Sequence, residues 1–322
     1  MKNYPIILFA YNRPWHTEQV LMALKNNQLA EQSHLIVFVD GPKDSATPEQ
    51  RRNIEEVRWV VQKEKWCGSV EYHLAEHNIG CRNSIIQGIT EVLQKYEAAI
   101  VLEDDIVTSP YFLNFMNKSL NYYINNKSVI SISGYNFPSA RINIPLDYKY
   151  DVYISLRQLN WGWATWSDRW NCLNWSKDFI PDFLQDKYKV NAFNRGGDDL
   201  SKMLIDEYNG LSDAWDVQFC YFHFMQHGVS IIPCLSYTNN IGFDDSGTHT
   251  LNQNSEIFKN DLSICKKNPK FLQELYEDSR IVNAFYNNFS SKKRPVWQKI
   301  INRISRMLGG KNVFVIKKKI YA

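Results

Sequence analysis

The chain has 322 residues, a formal net charge of +3 at pH 7 and 44% hydrophobic residues, a composition typical of a globular protein. This length is sufficient for one large α/β domain or two smaller ones with a sizeable core. Because no apolar run approaches the ~20 residues that a membrane-spanning helix needs, the composition excludes a spanning segment.

The cysteines show neither a metal-site spacing nor a disulfide framework. No Cys-x-x-Cys pair occurs among the six, which stand at positions 67, 81, 172, 220, 234 and 265. We therefore predict free thiols in a reducing compartment. The residues from Met1 to Pro5 lead directly into a predicted strand, so we expect no signal peptide.

The first half of the chain alternates apolar runs with helical patterns. Such an alternation predicts a parallel sheet with right-handed crossovers. The predicted strands cover residues 4–10, 35–39, 69–74, 98–102 and 129–133. Helices are predicted over residues 14–27, after the capping box that starts at Thr47, over residues 82–96, and from Ser109-Pro110 onward.

Polar residues follow several of these strands at the point where each strand ends. They are Tyr11, Asn12 and Arg13 after the first strand, Asp40 after the second, and Glu103, Asp104 and Asp105 after the fourth. Because ligands bind at the carboxyl edge of open α/β sheets, this grouping predicts a nucleotide-sized site. The chain contains no Gly-x-Gly-x-x-Gly and no Walker A pattern, so neither a dinucleotide fold nor a P-loop is supported.

The acidic triplet Glu103, Asp104 and Asp105 is the most informative of these groups. Three adjacent carboxylates repel one another, so their position at the end of a buried strand indicates a counter-charge. A divalent cation that holds a ligand's phosphates would supply it, and hard oxygen ligands suit Mg²⁺ or Mn²⁺. The alternative is an acidic turn that caps the helix starting at Ser109-Pro110.

The second half is less regular. We predict strands over residues 151–155 and 229–235, and helices that begin at Asp198-Asp199 and at Asp213, the latter carrying Asp216. Residues 236–250 are rich in Gly, Asn, Asp, Ser and Thr, which is typical of a loop that covers a site.

The C-terminal segment is strongly basic. Residues 291–322 hold ten Lys or Arg and no acid, so the rest of the chain holds 37 − 10 = 27 basic and 34 acidic residues, a net charge of −7. From Pro295 the pattern predicts a basic amphipathic helix that carries Trp297, which suits an anionic membrane surface. Docking of this tail on the body of the protein and a nucleic-acid contact are the alternatives.

Taken in order, short motifs along residues 5–250 resemble the GT-A glycosyltransferases. The similarity is greatest to the N-acetylglucosaminyltransferase I type and to bacterial relatives that build surface polysaccharides. The centre of the chain matches a Glu-Asp-Asp form rather than the shorter Asp-x-Asp form. The motifs are Ala10-Tyr11-Asn12-Arg13, Val39-Asp40, Asn78-Ile79-Gly80, Val101-Leu102-Glu103-Asp104-Asp105, Gly162-Trp163 and Ala214-Trp215-Asp216.

The resemblance implies a role for each matching residue. It implies that Asp105 ligates Mn²⁺ or Mg²⁺, with His249 from the loop reaching the metal or the diphosphate, and that Asp216 is the catalytic base. Nucleotide-sugar contacts are implied for Tyr11, Asn12, Arg13, Asp40, Asn78, Gly80, Arg82, Glu103, Asp104, Trp163 and Trp215.

Several of these residues could equally have a purely structural role. Asn78 and Gly80 are equally suited to a plain turn, and Arg82 to the protein surface. Trp163 is suited to the core as well as to a sugar platform. Asp216 lies near a predicted helix N-terminus, which favours the ionised form that a base needs, but a first-turn carboxylate can also simply complement the helix dipole.

The resemblance implies an α/β fold of the GT-A type, with a mostly parallel central sheet flanked by helices and a basic helical tail. Residues 1–135 would bind the nucleotide-sugar, residues 136–255 would bind the acceptor and carry the base, and residues 256–322 would form a helical region that ends in the membrane-associating tail. A single carboxylate base without a second carboxylate nucleophile predicts inversion.

The implied activity is metal-dependent transfer of a sugar, from a UDP-sugar such as the UDP-GlcNAc or UDP-Gal type, to a glycan hydroxyl in bacterial surface polysaccharide assembly. A lipid-linked acceptor at the cytoplasmic face of the plasma membrane is expected, with residues 292–319 on the anionic membrane surface and no nucleic-acid partner. The alternatives are a sugar nucleotidyltransferase and a non-catalytic glycan-binding protein.

Overall fold

An eight-stranded sheet runs through the centre of the protein in the computed structural model, which describes residues 1–244 and 255–290. The strands in chain order are β1 Ile6–Ala10, β2 His34–Val39, β3 Ser69–Leu74, β4 Ala98–Glu103, β5 Ile106–Thr108, β6 Val129–Ser133, β7 Val152–Ser155, β8 Trp163–Trp166, β9 Val229–Pro233 and β10 Thr238–Asn240. Across the large sheet their order is β3-β2-β1-β4-β8-β6-β9-β7, and β5 and β10 form a separate two-stranded sheet.

Most strands of the large sheet run in one direction. The pairs β1–β2, β2–β3, β1–β4 and β6–β9 are parallel. β8 is antiparallel to both β4 and β6, and β7 is antiparallel to β9. The predicted α/β class, with a mostly parallel central sheet flanked by helices, is therefore confirmed.

Helices cover both faces of this sheet. They are α1 Pro14–Lys25, α2 Pro48–Gln62, α3 Cys81–Lys95, α4 Phe112–Tyr123, α5 Ser167–Trp170, α6 Phe179–Gln185, α7 Lys187–Phe193, α8 Leu200–Tyr208, α9 Trp215–Met225 and α10 Ser279–Phe289. Alternate residues of the strands divide the core in two. Ile6 and Leu8 pack in the cluster that includes α1, α2, α4 and α10, whereas Ile7 and Phe9 pack with α3, α5 and α9.

The predicted helix starts are partly correct. Thr47 begins α2 with the predicted capping box, in which its hydroxyl accepts from the backbone N–H of Gln50 at 3.2 Å. The helix predicted from Ser109-Pro110 is present, but it starts three residues later, because Pro110 and Tyr111 form a turn and α4 begins at Phe112. The side chain of Asn27 accepts from the backbone N–H of Leu113 at 3.0 Å and so satisfies an amide in the first turn of α4.

Three short strands were not predicted from the sequence: β5, β8 and β10. β8 is the most consequential, because it lies between β4 and β6 and joins the two parallel halves of the sheet. All four of its residues, Trp163–Trp166, are buried, but it directly follows Asn160 and Gly162, residue types that are typical of loops.

Within the described residues, no helix has the length and apolarity to cross a bilayer. All six cysteines lie in the described ranges and are free thiols, as predicted. The predicted tail helix, residues 291–322, lies outside the described residues, and the division at residues 135 and 255 stays a prediction.

Candidate functional site

The acidic triplet and the residues after β1 meet at one edge of the sheet, as predicted. Glu103 is the last residue of β4, and Asp104 and Asp105 form the turn that leads into β5. One nitrogen of Arg13, Nη2, contacts Oδ1 of Asp104 and lies 2.9 Å from Oδ2 of Asp105. The backbone N–H of Tyr11 donates to Oδ2 of Asp104 at 3.3 Å.

Arg13 therefore supplies part of the counter-charge that the sequence analysis assigned to a metal ion alone. The compensation is incomplete, because three carboxylates share one guanidinium. Burial, together with the charges of Asp105 and Asp104, raises the pKa of Glu103 to about 8. Burial also raises the pKa of Asp105, although Arg13 opposes this shift.

This arrangement is compatible with a divalent cation, although the described residues contain no cluster of three or more His, Cys, Asp or Glu side chains placed to hold one. Mg²⁺ is usually bound by one or two carboxylates together with substrate phosphates, and a closed protein cage is not required. Oxygens of Asp104 and Asp105 converge on a single cationic nitrogen, and the pKa of Glu103 is raised first by burial and then by the negative charges of Asp105 and Asp104. The residues present therefore fit such a cation.

The segment after β10 packs directly against this cluster. The backbone N–H of Ile241 donates to the carbonyl of Asp105 at 2.9 Å. A Cβ atom at Gly242 would lie 2.4 Å from Oδ2 of Asp105 and 2.8 Å from Nη1 of Arg13, so any larger residue there would displace these two side chains. His16, which is buried, has Nε2 3.0 Å from Oδ2 of Asp244. The predicted ligand His249 lies outside the described residues.

Asp40 holds the turn that precedes α3. Its carboxylate accepts from the side chain of Asn78 at 2.8 Å and from the backbone N–H groups of Ile79 and Gly80 at 3.0 and 3.1 Å. Gly80 adopts φ = +84°, and a Cβ there would meet no atom within 4 Å, so open space adjoins this turn. Asp40, Asn78 and Gly80 thus form one rigid unit beside the acidic cluster, and their contact with a nucleotide stays a prediction.

Asp216 lies in the first turn of α9 and remains partly exposed to solvent. Its Oδ1 accepts from the backbone N–H of Val217 at 2.9 Å. Burial raises its pKa, and the positive charge of Arg157 opposes that rise. Trp215, the residue before Asp216, has its ring centroid 5.5 Å from that of Trp163, which pairs with Val101 of β4, so the start of α9 lies near the end of β4. Ala214, and not the predicted Asp213, is the N-cap residue of α9.

A buried ion pair beside Asp216 was not predicted. Nη1 of Arg157 lies 2.8 and 2.7 Å from the two carboxylate oxygens of Asp199, and both side chains are almost fully buried. The guanidinium carbon is 3.8 Å from the ring centroid of Phe289 in α10. Asp199 had been predicted only as a helix start, and Arg157 belongs to no motif, so the sequence contained no signal for this contact.

The remaining predicted contacts differ in their accessibility. Tyr11 and Asn12 are partly exposed where β1 ends. Trp163 is fully buried, and its ring centroid is 5.5 Å from that of Trp215, which is also buried. Neither ring presents a free face to a sugar, so the structure supports the core alternative that we considered for Trp163. Arg82 binds Glu207 and Gln218 instead of lying free on the surface.

Comparisons with known proteins give weak similarities only. No family model and no curated protein matches the chain. TarS from S. aureus has 9% identity and a TM-score of 0.37, over 74% of this chain and 36% of TarS. UDP-glucose pyrophosphorylase in complex with UDP-glucose has 10% identity and a TM-score of 0.36, over 71% of this chain and 90% of that chain. Mouse xyloside xylosyltransferase 1 has 9% identity and a TM-score of 0.34, over 70% and 82% of the two chains.

The chain thus spans about a third of the length of TarS, since it covers 36% of that protein. The TM-scores of these three structures are at most 0.37. Because this value is below 0.5, the similarities assign no family to the chain.

Proposed function

We propose that this protein is a metal-dependent glycosyltransferase of the GT-A type that uses a nucleotide-sugar donor. The observation that carries the proposal is the pairing of two acidic elements across one site. The triplet Glu103 to Asp105 ends the central strand β4, and Asp216 stands partly exposed at the N-terminus of α9. A group-transfer enzyme of this kind needs one acidic centre for the donor's cation and one carboxylate for the acceptor's proton.

The donor half of the site would be formed by the edge of the sheet. Asp105, with Asp104 beside it, would hold Mn²⁺ or Mg²⁺, and Arg13 keeps both carboxylates turned to the same point. A bound cation would act as a Lewis acid on the diphosphate of the leaving group. Glu103 would face the donor sugar. The nucleoside would lie along Tyr11, Asn12, Asp40, Asn78 and Gly80, whereas the guanidinium of Arg82 is bound to Glu207 and Gln218.

Asp216 would act as the general base. It would take the proton from the acceptor hydroxyl as the oxygen attacks the sugar, and its position at a helix N-terminus favours the ionised form that this role needs. No second carboxylate is assigned as a nucleophile, so a single in-line displacement with inversion follows.

The finer assignments rest on the resemblance and on the basic tail. We propose a UDP-sugar donor of the UDP-GlcNAc or UDP-Gal type and a lipid-linked glycan acceptor in surface polysaccharide assembly. His249 would approach the metal or the diphosphate from residues 245–254. Residues 292–319, which hold ten Lys or Arg, would keep the enzyme at the inner face of the plasma membrane.

The test compares nucleotide binding with sugar transfer. Wild-type protein should gain thermal stability from UDP only when Mn²⁺ is present, and should release UDP from a UDP-sugar in a donor screen. Asp105→Asn should abolish the metal-dependent gain. Asp216→Asn should keep it and lower transfer by about 10²- to 10⁴-fold, the usual contribution of a general base.

The exposed Glu97 supplies the matched control, because it precedes β4 at the end of the strand opposite the triplet, and Glu97→Gln should change neither readout. Absence of any Mn²⁺-dependent UDP stabilisation in the wild type would leave a glycan-binding protein as the better assignment. Formation of a UDP-sugar from UTP and a sugar phosphate, with release of pyrophosphate, would instead identify a nucleotidyltransferase.

A further inference from the structure

A groove lies beside the C-terminal end of α4, and the proposed transfer site does not use it. Its volume is about 650 Å³. Binding sites of small ligands usually have volumes of ~300–1,000 Å³, so the groove has the size of such a site. Tyr122, Tyr123, residues 125–128 and Gln273 line it. Its walls therefore come from the end of α4, the turn after it and the segment that precedes α10.

The groove and the acidic triplet lie at opposite edges of the sheet. Residues 125–128 lead into β6, which begins at Val129. Because β4 and β6 are each antiparallel to β8, they run in the same direction. The start of β6 therefore lies at the edge where β4 starts, whereas the triplet lies where β4 ends. β4 has six residues and a strand of that length spans roughly 20 Å, so the groove is a separate site.

Tyr122 gives the groove an aromatic surface that is both fixed and accessible. Its ring centroid lies 4.8 Å from that of Tyr123 and 5.0 Å from that of Phe271, so two neighbouring rings hold it in place. The residue is nevertheless 48% exposed. An aromatic ring that packs on one side and meets solvent on the other is a platform on which the C–H face of a sugar ring can stack.

Uncharged polar groups surround this ring. The side-chain amides of Asn125 and Gln273 are exposed and form no hydrogen bond with any part of the chain that the structure describes, and the same holds for Oγ of Ser128. Each amide offers both donors and an acceptor, and the hydroxyl offers one of each. Sugar hydroxyls also donate and accept, so these three groups are suited to bind them.

The charges around the groove favour a neutral ligand. Lys127 is the one charged residue among those that line it, and its Nζ contacts Oδ2 of Asp168. A phosphate or a carboxylate would need a cation that is not already paired. A peptide would need apolar pockets or a free strand edge, and the lining instead consists of amides, hydroxyls and aromatic rings.

The groove is also preformed. Arg169 in α5 donates from Nη2 to the carbonyl of Ile124 at 2.8 Å and to that of Asn126 at 3.3 Å, and its Nη1 lies 2.6 Å from Oδ1 of Asp168. These contacts hold the turn after α4 in place. Because this turn is already fixed, a ligand would not need to order it on binding.

We infer that this groove binds a neutral glycan, with Tyr122 stacked on one sugar ring and with Asn125 and Gln273 bound to its hydroxyls. The inference goes beyond the proposed function, because binding at the groove requires neither a nucleotide nor a metal ion. In a glycosyltransferase, the groove would retain a part of the glycan that is remote from the reacting hydroxyl.

The experiment titrates neutral glycans onto the full chain by calorimetry in the presence of EDTA. The probes are the tetrasaccharides of glucose, galactose, mannose and N-acetylglucosamine. Tyr122→Ala should lower the affinity for the best probe by about tenfold or more, because it removes the stacking surface. Tyr122→Phe keeps the ring and should stay within about threefold of wild type.

Tyr188→Ala is the matched control, since Tyr188 is a 90% exposed tyrosine of α7 and lies outside the groove, and this variant should bind like wild type. A wild-type affinity in a folded Tyr122→Ala protein would overturn the inference and place the glycan elsewhere on the chain. Absence of binding of all four probes to the wild type at millimolar concentration would also overturn it.

The double variant Asn125→Ala with Gln273→Ala provides a second route in case Tyr122→Ala does not fold, as judged by circular dichroism and melting temperature. It removes exposed amides that form no hydrogen bond within the described residues, and it should lower the affinity by about fivefold or more through the lost hydrogen bonds. An unchanged affinity in this variant counts against the inference. Failure of the wild type to bind UDP with Mn²⁺ would contradict only the proposed function, so the two failures are distinguishable.

Discussion

Arg13 determines how the acidic triplet is organised. Three adjacent carboxylates at the end of a buried strand need a counter-charge, and the guanidinium provides it for Asp104 and Asp105 through a single nitrogen. No contact of Arg13 with Glu103 occurs in the described residues, and burial, with the charges of Asp105 and Asp104, raises the pKa of Glu103 to about 8 against the opposing charge of Arg13. The triplet and Arg13 thus form one preorganised group of charges. A bound cation would add positive charge to this group and would not replace Arg13.

Arg157 has a comparable relation to Asp216. Its bidentate pair with Asp199 and its contact with Phe289 hold the guanidinium in place, and its charge opposes the rise that burial causes in the pKa of Asp216. A base that must be ionised depends on such a neighbour. Arg157 is accordingly a positioning residue, since it acts on the proton acceptor and is not assigned any contact with substrate.

Two variants should shift the pH dependence of transfer in opposite directions. Asp199→Asn removes a negative neighbour of Asp216, so the acidic limb of kcat/KM should move to lower pH. The double variant Arg157→Met with Asp199→Asn removes the stabilising cation as well, so the limb should move to higher pH. The double variant leaves no buried charge alone, whereas the single Asp199→Asn leaves Arg157 without its carboxylate, so its melting temperature is measured first. Limbs that coincide with wild type in both variants would show that Arg157 does not influence the base.

At the scale of elements, helix α9 combines two tasks. Its N-terminal turn carries Asp216, and His223 fixes its last turn to the sheet. Nε2 of His223 lies 2.9 Å from Oγ of Ser131 in β6 and 3.3 Å from Oγ of Ser230 in β9, and Nδ1 lies 2.7 Å from the carbonyl of Phe219. Burial lowers the pKa of this imidazole to about 4.

This buried histidine should make the fold sensitive to acid. The unfolded chain takes up a proton at a pKa of about 6.5 and the folded protein only at about 4. The contribution of the neutral imidazole is therefore complete above pH 6.5 and is lost as the pH falls towards 4, by about 3 kcal/mol in all. Urea denaturation between pH 7.5 and 4.5 measures this loss.

The comparison for this prediction is made with two glutamine variants. His223→Gln should have a lower stability at neutral pH but a flatter dependence on pH than wild type, because it has no proton to gain. His77→Gln replaces an exposed histidine and should retain the wild-type slope. Equal slopes in all three proteins would mean that the buried ring does not oppose protonation.

At the scale of the whole molecule, strand order decides what the site contains. β1 and β4 are neighbours in the sheet although they are separated by about 90 residues, and this places Arg13 against the acidic triplet. β8 then continues the sheet on the far side of β4. The C-terminal helix α10 returns to the body and places Phe289 on Arg157, so the last described helix supports the environment of the proposed base.

The charge asymmetry of the chain leads to a prediction about membranes. Replacing Lys317, Lys318 and Lys319 by Gln should weaken binding of the full chain to vesicles that contain phosphatidylserine by roughly a hundredfold, at roughly 1 kcal/mol for each lysine near the surface. Vesicle sedimentation at low salt measures this effect. A control in which the exposed lysines 187, 189 and 202 are replaced should bind like wild type. Equal sedimentation of all three proteins would favour docking of the tail over membrane contact.

Local patterns in the chain were sufficient to predict β1 to β4, β6, the buried faces of α2 and α3, the capping box of α2 and the gathering of polar residues at one sheet edge. These features depend on periodicity and on neighbours within a few positions, and a sequence displays both directly. The same patterns left Asn78 and Gly80 between a turn and a ligand contact. They also placed the start of a helix at Ser109-Pro110, where the chain forms a turn and α4 begins only at Phe112.

Only the tertiary structure decided which charges are paired. Arg13 with Asp104, Arg157 with Asp199, and Arg82 with Glu207 join residues 91, 42 and 125 positions apart. It also decided that Trp163 lies in the core and that β8 inserts between β4 and β6. The physical reason is that a buried charge or ring takes whichever partner the packing of distant elements brings to it, and spacing along the chain carries no record of that choice.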